Sequence, residues 1–72
     1  MVVNMEIPQE YRQRLVDTLG DSRELQASMA LGAGQLTYYL SEVMRARRGN
    51  PIALREVKGL YDELQIMVGT DV

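Results

Sequence analysis

Five basic side chains crowd one short stretch of this chain: Arg45, Arg47, Arg48, Arg55 and Lys58. Residues 42–58 also hold Glu42 and Glu56, five bases against two acids, so the stretch carries a local charge of +3. Clustered arginines can grip phosphate oxygens or an acidic protein surface. Tyr38 and Tyr39 precede the cluster, and a tyrosine ring can stack on a base. A nucleotide- or nucleic-acid-binding module is therefore one reading. The chain as a whole argues for a plainer one. Its net charge is −2, and no aromatic-and-basic motif accompanies the arginines. Cations also suit a helix C-terminus without any ligand.

Other chemistry has little to stand on. The chain has no Cys and no His. That removes thiolate nucleophiles, the commonest zinc ligand and the usual general base at neutral pH. No glycine-rich phosphate loop follows a strand pattern. The carboxylates Glu10, Asp17, Asp62 and Glu63 read as solvated helix faces. No catalytic, cofactor-binding or metal-binding residue is expected, and the chain reads as a non-enzyme.

A different feature points to binding. Between Glu24 and Glu42 there is no charge, a run of seventeen residues in a chain that is 25% charged. A surface helix normally carries charge on its outer face. A helix without charge is expected to be covered on more than one side. A membrane span is the competing explanation, but it needs ~20 mostly apolar residues. This run contains Gln26, Ser28, Gln35, Thr37 and Ser41. The leading MVVNM lacks the basic and apolar regions of a signal peptide. Absent cysteine fits a reducing compartment, so the expected location is cytoplasmic.

Three helices are expected to position these groups within one domain, 1–72. The first spans about 8–19, with Pro8 in its first turn. Ile7, Tyr11, Leu15 and Leu19 recur every four residues with Val16 beside them, one apolar stripe. Gly20 ends it. Asp21 as N-cap, with Glu24 three residues on, resembles a capping box. The second helix spans about 22–47, striped by Leu25, Met29, Gly32, Leu36, Tyr39 or Leu40, and Val43. Asn50 as N-cap and Pro51 at the first position start the third helix, about 51–68. Its stripe is Ala53, Val57, Leu60, Tyr61, Leu64, Met67 and Val68, and Gly69 stops it. Thr70 to Val72 form a tail.

Length shapes the expected packing. The second helix would run about 39 Å, the third about 27 Å and the first about 18 Å. Short connections favour antiparallel neighbours. The first helix should lie along the N-terminal half of the second, and the third along its C-terminal half. Neither covers the middle. That middle is rich in small residues, from Ala27 to Gly34, which let another backbone approach closely. Tyr11 and Leu15 of the first helix could fill the groove. A second subunit, a ligand or a kink are the other ways to account for two glycines there. Tyr38 and Tyr39 point about 100° apart on a helix. One can join the core, leaving the other on an uncharged surface.

The reading is an all-α, three-helix fold with a long central helix and two shorter antiparallel flanking helices. Its function is expected to be that of a small non-enzymatic interaction module: an adaptor, inhibitor or assembly component. It should bind itself, most simply as a dimer, or a larger protein, through Leu31, Gly34, Tyr38 and Tyr39. Small chains without disulfides or metals often reach stability by such association. An anionic partner would contact Arg45, Arg47, Arg48, Arg55 and Lys58. In size and style the chain resembles small accessory proteins of phages and bacteria, a resemblance that no motif carries.

Overall fold

A computed structural model describes residues 7–69. The leading MVVNM segment and the tail from Thr70 fall outside them. The described residues are all-helical, with four helices rather than three.

α1 spans Gln9–Leu19 and follows Pro8, which sits just outside the helix in extended conformation. The expected stripe faces inward: Ile7, Tyr11 and Leu15 are buried, with Val16 and Leu19 packed beside them. Gly20, at φ 87°, ends the helix, and its N–H donates to the Val16 carbonyl at 2.8 Å.

α2 spans Arg23–Leu31. Its cap is Ser22, not Asp21. The Ser22 hydroxyl accepts from the Leu25 N–H at 3.1 Å. Asp21 instead accepts from the Gln26 side chain at 2.8 Å.

The long central helix does not form. α2 stops at Gly32, and α3 spans Ala33–Ala46. Gly32 sits at φ 114°, ψ 177°, a backbone region essentially reserved for glycine. The reason lies in what each half buries. Leu25 and Met29 on α2 and Leu36 and Leu40 on α3 all enter one core cluster. On a straight helix, Leu25 and Leu40 would stand about 23 Å apart. Such a helix would also run about 39 Å, against 37 Å for the longest dimension of the described residues. A corner at Gly32 brings both halves to the same core.

α4 spans Pro51–Met67. Asn50 caps it as expected, its side chain accepting from the Ala53 N–H at 3.2 Å. Val57, Leu60 and Leu64 are buried. The Gln65 side chain donates to the Thr37 hydroxyl at 3.0 Å. The late turns of α4 therefore meet the early turns of α3, so these helices run antiparallel.

α1 departs from its expected place. It packs chiefly on α4, not along the former helix 2. The Tyr11 hydroxyl donates to the Leu60 carbonyl, and Arg14 pairs with Glu63. Every buried side-chain polar atom among the described residues has a partner.

Candidate functional site: the outer faces of the helices

The uncharged run splits cleanly into an inner and an outer side. Leu25, Ser28, Met29, Leu36 and Leu40 are buried. Ala27, Ala30, Leu31, Gly34, Gln35 and Tyr38 are exposed. Leu31, the last residue of α2, is 72% exposed, and Tyr38 on α3 is 60% exposed. Gly34 lies between them in sequence, and a Cβ built on it would meet nothing within 4 Å. The groove expected to receive Tyr11 and Leu15 is thus open at Gly34, because α1 has gone to α4. Tyr39 turns inward and packs against the core at partial burial. Of the four residues singled out from sequence, Leu31, Gly34 and Tyr38 are outward and Tyr39 is not.

The basic residues divide as well. Arg45 pairs with Glu42 at 3.2 Å and Lys58 with Asp62 at 2.8 Å, both within one helix. Exposed pairs of this kind are worth ~0.3–0.5 kcal/mol and leave the cations accessible. Arg47 is the C-cap of α3 and is half-buried. Arg48 and Arg55 are exposed, and neither they nor Arg47 form an ion pair among the described residues.

The seam between α1 and α4 holds Tyr11. Tyr11 is buried, and its hydroxyl is pushed up to about 12, first by burial and then by the nearby Glu63 charge, against the opposing pull of Arg14. The Arg14 guanidinium stands over the Tyr11 ring at 5.4 Å. Glu63, expected on a solvated helix face, stays partly exposed and pairs with Arg14 across the two helices. Asp17 accepts from Gln13 at 3.0 Å on its own helix. Shallow grooves flank this seam. One of about 360 Å³ is lined by Arg14, Asp17, Glu56, Gly59 and Glu63 among others. Among the described residues no group of three or more acids could hold a metal ion. No helix among them is long and apolar enough to cross a membrane.

Sequence reasoning missed one exposed set altogether. Ile52 and Ile66 on α4 are 77% and 78% exposed. They lie off the buried stripe of α4. The available signal was their spacing, seven residues on either side of Gly59. Comparison with known protein families, with curated proteins and with solved structures finds no match for this chain.

Proposed function

We propose that this chain is a non-enzymatic protein–protein interaction module that self-associates through the outer strip around the α2–α3 corner. One observation carries the reading. Leu31 and Tyr38, large and apolar-bodied, stand outward on either side of the Gly32 corner in a stretch without charge. A side chain of this kind gains free energy only when something covers it. Tyrosine is enriched in interface cores, where its ring gives area and its hydroxyl a polar contact. Gly34 lies between them in sequence with open space above it, so a second backbone can come close there.

The test is solution mass by light scattering across concentration and salt. The unaltered chain is expected to associate at micromolar concentration. Gly34→Glu, which sets bulk and charge on the strip, should lower the mass reached at a given concentration with helix content retained. A monomer at high micromolar concentration, or a mass profile indifferent to Gly34→Glu, would overturn the reading.

A second reading rests on Arg47, Arg48 and Arg55, which no acid neutralises within the described residues. They would hold a phosphate-bearing or acidic partner at the α3–α4 turn. Binding to a nucleotide or a nucleic acid that weakens steeply with salt would favour it.

A further inference from the structure

The outer face of α4 lies on a different helix from the strip just described, and its pattern is symmetric. Gly59 is its midpoint. It is exposed, and a Cβ built on it would meet nothing within 4 Å. Ile52 lies seven residues before it and Ile66 seven after, both outward. A spacing of seven drifts by only ~20° per step on a straight helix, so the three share one face. A glycine inside a helix is disfavoured relative to alanine, and nothing among the described residues uses the space it leaves. Charge along the helix is polarised. Arg55 and Lys58 precede Gly59, and Asp62 and Glu63 follow it. Glu56 is the exception.

We propose that this face pairs with the same face of a second copy, the two α4 helices antiparallel about a two-fold axis at Gly59. A two-fold contact demands a self-complementary patch. Here the axis sets Ile52 of each copy beside Ile66 of the other. Gly59 of both copies meets at the axis, where two small residues let the helices approach closely. Arg55 comes level with Asp62 of the second copy, and the basic half of one helix lies along the acidic half of the other. A parallel pairing would instead set like charges together. Glu56 comes near Glu63 of the second copy, and Arg14, already bound to Glu63 and lining the same groove, offsets that repulsion. An unrelated partner would gain nothing from the symmetry of this spacing.

Disulfide trapping tests the geometry, because the chain contains no cysteine of its own. Ile52→Cys and Ile66→Cys are made separately, in the unaltered chain and in the Gly34→Glu background. The two positions lie about 21 Å apart along the helix, and a disulfide tolerates roughly 7 Å between Cα atoms. Under mild oxidation the mixture of the two variants should give at least tenfold more covalent dimer than either alone. Gly59→Cys, at the axis, should cross-link by itself. Arg55→Asp should lower the yield of the mixture, and adding Asp62→Arg to the same chains should restore it. The proposal falls if each variant alone cross-links as well as the mixture. It also falls if the mixture yields no more than Ile52→Cys mixed with Glu10→Cys, or if charge reversal changes nothing. Equal yields in both backgrounds separate this face from the α3 strip. Trapping lost with Gly34→Glu would assign the contact to that strip instead.

Discussion

The α1–α4 seam and the α2–α3 corner are built in different ways. The seam is tied by side chains. The Tyr11 hydroxyl meets the Leu60 carbonyl, Arg14 pairs with Glu63, and the Arg14 cation sits over the Tyr11 ring. The corner is set by the backbone of one residue, Gly32, in a conformation that other residues rarely adopt. The two regions also differ outside. The seam is rimmed with charge, while the corner exposes Leu31 and Tyr38 without any charged neighbour in the run. The seam uses its polar groups on internal ties. A region held by backbone geometry leaves its outer side chains available to a partner.

Gly32→Ala should break this contrast most strongly. The substitution adds a Cβ at φ 114°, where strain of about 1–3 kcal/mol is expected even though the space around it is open. Alanine also favours the continuous helix that the corner interrupts. Urea unfolding should show a loss in that range. Circular dichroism should show helix content held or raised near the midpoint, as a straightened helix competes. Unchanged stability would mean that the corner is not needed to bring Leu25 and Leu40 to one core.

The same residue marks the limit of what was legible in the sequence. The stripes of all helices were readable, because burial follows the 3.6-residue period: Tyr11, Leu15, Leu25, Met29, Leu36, Leu40, Val57, Leu60 and Leu64 are all buried. The Asn50 cap and the Gly20 stop were readable from local chemistry. The corner was not. The spacing from Leu25 through Gly32 to Val43 runs on helical period across the break, and the local preference of one glycine is about 1 kcal/mol. Burial of apolar side chains from both halves outweighs that, and burial is a property of the whole fold. The sequence pointed to Asp21 where Ser22 is the cap, since adjacent residues offer equivalent local signals. Which side chains face outward was half legible. An absence of charge marked the run but could not separate Leu31 and Tyr38 from Tyr39, which needed the helix orientations. The partner of α1 was beyond reach too, because Arg14 and Glu63 lie 49 positions apart.

The seam predicts a smaller effect with a pH signature. Tyr11→Phe keeps the ring and removes the hydroxyl that donates to Leu60, at a cost of about 1 kcal/mol. The tyrosine hydroxyl is raised from 10.0 to about 12 in the folded chain. Its neutral form is thus favoured by folding, and its contribution is fully present below pH 10. It is lost as pH rises from about 10 through about 12, because the unfolded chain gives up the proton first. Urea midpoints of the two chains should therefore differ by a constant amount at neutral pH and converge above pH 10. A gap that stays constant through pH 12 would mean that Tyr11 is not the group responsible.

The smallest effect sharpens the comparison most, because its two readouts should move in opposite directions. Gly34 lies two residues beyond Gly32 yet has ordinary helical geometry and open surroundings. In an isolated chain Gly34→Ala should stabilise by about 0.4–1 kcal/mol, since alanine restricts the unfolded chain and strains nothing. At the proposed strip the same methyl group holds a second backbone away. Urea unfolding at low micromolar concentration should then show a gain, while light scattering at high concentration shows weaker association. If association strengthens together with stability, the close approach does not occur at Gly34. The exposed Leu31 and Tyr38 would then be covered by a partner that does not touch the glycine.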